Sequence, residues 1–216
     1  MKKVTKYYPF IFILWVVSSC NTIDKKKKIN EGSEVVVQKE QSYAIDTSGV
    51  ALKWTSYKFT DRLAVGGTFD RFTLHLKNDS GTIETLLRKA EISINTGTVN
   101  SGNEIRDPKL RTYFFEVFNT DTIYGKILVA DQGKGTLLLE MNNITNEVDY
   151  SYSLQNDTLH LATHLDLLLW NGAEAIGSLN KECYDLHKGL DGISKLWPDV
   201  DVTVKFPVID LVTPEQ

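Results

Sequence analysis

The sequence predicts an all-β domain with short helical insertions, built either as a sandwich or as a closed up-and-down barrel. Three observations carry that expectation. From about residue 48 onward, apolar and polar residues alternate with a period of two. Short polar turns rich in Gly, Asn and Asp separate the alternating runs. Helical character is confined to Pro108–Phe118 and Glu174–Leu196, with Pro108 suited to a first helical turn and Pro198 expected to stop the second region.

The strands follow in order. One is expected near Val50–Phe59, and the next over Leu63–Leu76, where Gly66-Gly67 suggests a bulge or bend. Ile83–Thr96 places Ala90, Ile92 and Ile94 on one face and Glu91, Ser93 and Asn95 on the other. Ile123–Val129 and Thr136–Met141 flank Asp131–Gly135, a hairpin loop. Glu147–Leu154 sets Val148, Tyr150, Tyr152 and Leu154 against Asp149, Ser151 and Ser153. After a turn at Gln155-Asn156-Asp157, Thr158–Trp170 opposes Leu159, Leu161, Leu165, Leu167 and Leu169 to His160, His164 and Asp166. A last strand, Asp201–Val208, alternates Val202, Val204 and Phe206 with Asp201, Thr203 and Lys205. These make about eight strands, a count at which a closed barrel is just wide enough for side chains or one small ligand.

The chain has 216 residues, enough for one domain with appendages. Lys2, Lys3 and Lys6 precede the apolar run Phe10–Val17, which is too short to span a bilayer and reads as a secretory signal over residues 1–19. The run ends in Val17-Ser18-Ser19-Cys20, which resembles the bacterial lipobox, so Cys20 is the expected lipid attachment site. Two or three acyl chains anchor stably, since each buried methylene contributes ~0.8 kcal/mol. Residues 20–45, with Lys25–Lys28 and few apolar residues besides Val35–Val37, read as a lipidated tether, and residues 46–216 as the domain. The expected location is the bacterial envelope, lipid-anchored and facing the periplasm or the cell surface. Removing residues 1–19 lowers the formal charge from −4 to about −7, which argues against nucleic acid as a partner. Of the two cysteines, Cys183 is left without an internal partner and reads as a small buried residue.

The densest signal is Ile92–Phe115. A strand enters a polar Gly/Asn loop, which closes on Arg106-Asp107-Pro108-Lys109-Leu110-Arg111 and the pair Phe114-Phe115. Together with Trp54–Phe59, Val65-Gly66-Gly67-Thr68-Phe69 and Ile92-Ser93-Ile94, this order is similar to the YceI-like family of lipid-binding proteins, over residues 48–208. The chain departs from that pattern at Pro108-Lys109, where the family often has histidine, and in a longer insert over Gly172–Leu196. The resemblance implies an eight-stranded antiparallel lipocalin-like β-barrel whose apolar tunnel holds a polyisoprenoid or other long amphiphile, without a cofactor.

Residues expected to face such a tunnel are Phe59, Val65 and Phe69 from the first strands, then Ile92 and Ile94. Leu110, Tyr113, Phe114 and Phe115 follow from the plug, then Ile127, Leu139, Tyr150 and Tyr152. Leu165, Leu167, Val204 and Phe206 complete the set. Arg106, Asp107 and Arg111 read as a salt-bridged clamp fastening the loop, with neutralisation of a ligand's head group as the alternative.

Enzyme readings find little support. His160 and His164, on one strand face, stand about 13 Å apart, too far to share a zinc ion. No GxSxG, HExxH, P-loop or Cys-x-x-Cys pattern occurs. Glu182, Asp185 and His187 read as a solvated face. The function expected is non-enzymatic binding, shielding or transport of an apolar or amphiphilic ligand. The alternative is a structural or protein-interaction module with a solid barrel core.

Overall fold

A computed structural model describes residues 41–211. The expected signal segment, Cys20 and most of the expected tether lie outside the described residues. Among the described residues, the strands are β1 (Tyr43–Ile45), β2 (Ala51–Lys58), β3 (Leu63–Phe69), β4 (Phe72–His75), β5 (Glu91–Asn95) and β6 (Val99–Asn100). They continue as β7 (Thr122–Asp131), β8 (Lys134–Met141), β9 (Ile144–Gln155), β10 (Thr158–Asp166) and β11 (Leu196–Asp210). Three short helices interrupt them: α1 (Ile83–Leu87), α2 (Arg106–Leu110) and α3 (Ala173–Glu182).

These segments form one antiparallel sheet that makes eight staves. β3 and β4 are two arms of one strand bent at Asp70-Arg71, and β5 and β6 are two arms of its neighbour, bent at the 3₁₀ turn Thr96–Thr98. The bends nest. Asp70 N–H donates to Thr98 O at 3.0 Å, Arg71 N–H to Thr98 Oγ1 at 3.1 Å, and Asn95 N–H to Arg71 O at 3.1 Å. From there the ladder steps through β7, β8, β9 and β10 to β11, which pairs back onto β2 with Val202 opposite Trp54. Every step but the closing β11–β2 pair joins neighbours in the chain, so the topology is up-and-down, with the number of staves the alternation predicts. Strand β1 pairs with the far end of β11, Tyr43 opposite Asp210, so residues 43–45, read as the end of the tether, form part of the sheet.

Tight turns set the register at three hairpins. Gln132-Gly133, Asn142-Asn143 and Asn156-Asp157 all adopt positive φ, the backbone that matches the twist of paired strands. The first turn is two residues long rather than the five read from sequence, because Asp131 and Lys134 are already paired.

Several expected elements differ. Gly66-Gly67 makes no bulge, since both pair in register with Thr55 and Trp54. Its purpose is clearance: a Cβ on Gly67 would lie 2.5 Å from the Trp54 ring and 2.5 Å from Asn100 O. The Trp54 indole N–H in turn donates to Thr68 O at 3.1 Å. The expected strand Ile83–Thr96 begins instead as α1, where Thr82 caps Thr85 N–H and Leu86 and Leu87 are fully buried. The later helical region ends at Glu182, followed by a 3₁₀ turn over Tyr184–His187. Pro198 lies within β11, where the pairing shifts between Leu196 and Val200, a place that needs no N–H from it. Leu154, at a barrel end, and Leu169, in the 3₁₀ turn Leu167–Trp170, are exposed although they were expected inside.

Gly67→Ala should lower stability by about 1–3 kcal/mol through the clash with Trp54. Gly177→Ala, in α3 with open space around it, should leave stability unchanged or raise it by up to about 1 kcal/mol. Urea unfolding of the two variants tests the contrast.

Candidate functional site

The alternation places one apolar side chain per two residues inside the barrel, and these do not fill it. A cavity of about 210 Å³ runs along the interior, bounded by residues of β2, β3, β4, β5, β7, β8, β10 and β11. Its wall is almost wholly apolar. Ser56 and Thr163 are on it, but the first hydroxyl donates to Val65 O at 3.4 Å and the second to Asp149 O at 2.8 Å. Glu91 and Lys126, which border it, pair with each other at 2.6 Å. Leu74, Ile92, Ile123, Val200 and Val202 pack against the buried core yet stay half-exposed, as inward residues beside an open space do.

One end is sealed by α1 and two tyrosines. Tyr152 donates to Glu84 of α1 at 2.7 Å, and Tyr150 donates to Val129 O at 2.9 Å. Burial and Glu84 push the Tyr152 hydroxyl up to about 12, and burial also raises Tyr150, so both remain neutral donors.

The opposite end is stopped by the aromatic plug. After α2, residues Arg111–Glu116 widen into a π-helical turn. That widening brings Phe114 to 5.0 Å from Phe115 and 5.4 Å from Phe118, with Phe115 5.9 Å from Phe69 (ring centroids). This aromatic cluster caps the cavity together with Leu110 of α2 and Ile176 and Leu179 of α3. Trp170, fully buried, fastens the adjacent turn by donating to Leu139 O at 3.1 Å.

Twelve of the seventeen residues expected to face a tunnel line this cavity: Phe69, Ile92, Ile94, Leu110, Phe114, Phe115, Ile127, Leu139, Leu165, Leu167, Val204 and Phe206. Five do not. Phe59 sits at a positive-φ turn outside the barrel mouth, and Tyr113 is on the exposed side of the π turn. Val65 lies opposite Ser56 but off the wall, while Tyr150 and Tyr152 form the sealed end. Leu52, Trp54, Leu161 and Val202, not singled out from sequence as tunnel residues, also line it, and their period-two spacing carries the signal. Ile176 and Leu179 come from the Gly172–Leu196 insert, in which no tunnel residue was singled out.

The expected Arg–Asp clamp is not formed. Asp107 accepts instead from Ser101 N–H at 2.9 Å and Ser101 Oγ at 2.6 Å, which closes the Gly/Asn loop. No ion pair joins Asp107 to Arg106 or Arg111 among the described residues. Arg111 borders a polar surface groove with Asp70, Arg71 and Asn103, while Arg106 lies one helical turn before Leu110. The plug is fastened by Lys109, whose Nζ lies 3.0 Å from Glu182 of α3. Glu182 is thus partnered rather than merely solvated, and so is His187, whose Nδ1 is 3.0 Å from Asn180 Oδ1. Burial, reinforced by Lys58, Arg106 and Lys109, lowers the His187 pKa from 6.5 to about 4. Cys183 is buried beside it, and burial raises its thiol pKa.

The family model for the YceI-like domain matches residues 43–208. A polyisoprenoid-binding domain from Saccharophagus degradans, implicated in plant cell wall breakdown, superposes with a TM-score of 0.53 at 14% identity, over 79% of this chain and 99% of that one. BcnA of Burkholderia cenocepacia superposes with a TM-score of 0.51 at 12% identity, over 76% and 99%. No curated protein matches the sequence.

The His187 pKa sets a pH dependence. Unfolded, His187 takes up a proton below about 6.5, whereas folded it stays neutral to about 4, so the unfolded chain binds more protons between these values. Stability should therefore fall as pH drops through that window. Thermal unfolding across it should show a shallower fall in His187→Asn than in the wild type.

Proposed function

Because the chain belongs to the YceI-like domain family, we propose that it binds a long apolar or amphiphilic molecule, a polyisoprenoid or similar lipid, inside the barrel. One observation carries this reading: an axial cavity whose wall offers apolar surface and whose few hydroxyls are already bonded to backbone carbonyls. Such a wall rewards a hydrocarbon chain at ~0.8 kcal/mol per buried methylene and leaves a polar ligand unsatisfied. A cavity in place of close packing favours a ligand-holding barrel over a solid interaction module. The charged groups on its border, Glu91 and Lys126, are paired with each other, and the Ser56 and Thr163 hydroxyls are bonded to backbone carbonyls, which supports binding, shielding or carriage as the role.

The lipobox-like Val17-Ser18-Ser19-Cys20 supports placing this function in the bacterial envelope. There an acylated Cys20 and the residues after it would tether the domain to a membrane. A barrel so held can take up or shield a membrane-derived amphiphile.

Native mass spectrometry of the purified protein, before and after addition of a long-chain prenyl alcohol, should reveal a bound apolar species. Val202→Trp, placed on the half-buried part of the wall, should weaken that binding about tenfold or more while the fold persists, since the ring fills existing space. An unfilled interior that takes no long-chain probe would end the binding reading. Growth with radiolabelled palmitate should label the wild type and leave Cys20→Ser unlabelled.

A further inference from the structure

On β2, Leu52, Trp54, Ser56 and Lys58 succeed one another on the inward face, and the first three line the cavity. Lys58 is therefore an inward lysine one step beyond the wall, paired in register with Leu196, itself a wall residue. Its Nζ donates to Leu186 O at 3.0 Å, a neutral acceptor. Arg106 is on the same side of α2 as Leu110, which also lines the wall. Neither Lys58 nor Arg106 has a carboxylate within ion-pair distance among the described residues. The nearby Glu182 is engaged by Lys109.

Resting on the tunnel reading above, we propose that Lys58 and Arg106 bind the anionic head, a phosphate or carboxylate, of the amphiphile whose tail occupies the cavity. The pair marks the point where the apolar wall gives way to polar groups, at the plug end of the barrel. Among the neighbouring groups, Glu182 is already paired with Lys109, Cys183 is a buried thiol and His187 is neutral. The two cations feel each other. Desolvation and then Arg106 lower the Lys58 pKa, a cost that an anion between them would relieve. A tail-borne phosphate would gain charge-assisted hydrogen bonds from the planar Arg106 guanidinium and the Lys58 ammonium together.

The test is isothermal titration of the full-length protein with two probes of equal tail, geranylgeranyl monophosphate and geranylgeraniol, in low salt. The wild type should prefer the phosphate by about tenfold or more, and the preference should shrink as salt is raised. Lys58→Met and Arg106→Gln should each remove most of that preference while leaving the alcohol's affinity unchanged. Lys58→Arg should restore it. The ratio of affinities reads the head group alone, so a partly misfolded variant does not distort it. Equal affinity of the two probes for the wild type, or variants that weaken both probes alike, would overturn the head-group site while leaving the tunnel intact. Binding of neither probe would overturn the tunnel reading and the head-group site with it. Displacement of the prenyl phosphate by an equal concentration of inorganic phosphate would show a free-anion site and overturn the assignment to an amphiphile's head.

Discussion

Closure of the ladder is the constraint from which the rest follows. Once β11 pairs with β2, no open edge remains along the eight staves, and the inward residues enclose a volume that depends on stave number rather than on their size. Leucine, isoleucine and valine at every second position leave a residual axial space, and water in that space would be poorly hydrogen-bonded. The chain answers by stopping both ends. The two stops differ in kind. At one end, Tyr152 hydrogen-bonds to Glu84 and ties the barrel wall to α1, so that side chains and helix form a single bonded unit. At the other, Phe114 and Phe115 of the π-helical turn pack edge to face with each other, Phe115 packs edge to face with Phe69 and Phe114 tilts against Phe118, a packing with no hydrogen bond between the rings. Rotation of aromatic side chains opens such a stop more cheaply than rupture of buried polar pairs.

Much of this was legible in the sequence, because period-two alternation and inward facing are the same physical fact. Ile92 and Ile94, Leu165 and Leu167, and Val204 and Phe206 line the cavity for the reason that made them visible. The same logic fails where backbone direction changes without a compositional signal. At Asp70-Arg71 a bent strand looks continuous, and the Gly66-Gly67 pair just before it draws attention to the wrong place. Its glycines answer to the Trp54 ring and to Asn100 O across the sheet, and those neighbours cannot be seen along the chain. Helix α1 was masked because Ile83, Leu86 and Leu87 merge with the alternation of the strand that follows, although Thr82 marks the cap.

The charged plug shows the limit most clearly. Arg106, Asp107 and Arg111 are close in sequence, and proximity suggested that they bind one another. On a short helix, neighbours one apart point in different directions. Arg106 therefore lies toward the side of Leu110, away from Asp107, while Asp107 and Arg111, four apart, border the same outer groove, where Ser101 rather than Arg111 takes the carboxylate. The fastening falls to Lys109 and Glu182, which lie 73 residues apart in the chain. At that separation only the closed barrel, which carries α2 and α3 to the same end, brings them within reach.

That arrangement also divides the electrostatic roles at the plug. A half-exposed Lys109–Glu182 pair contributes little net stability, but it sets where α2 sits against α3. Holding α2 there aims Leu110 into the cavity and keeps Arg106 on the Lys58 side. Pairing Glu182 with Lys109 also removes the carboxylate that would otherwise be available to Lys58 and Arg106. Burial, and after it the neighbouring Arg106, lowers the Lys58 pKa, and an apolar wall beneath the two cations excludes water from one side. On the binding proposal, the apolar wall would favour a hydrocarbon tail and offer little to functional groups along it. On the same proposal, discrimination between ligands of equal tail would arise where the wall ends, at Lys58 and Arg106, because the carboxylate of Glu182 there is taken by Lys109.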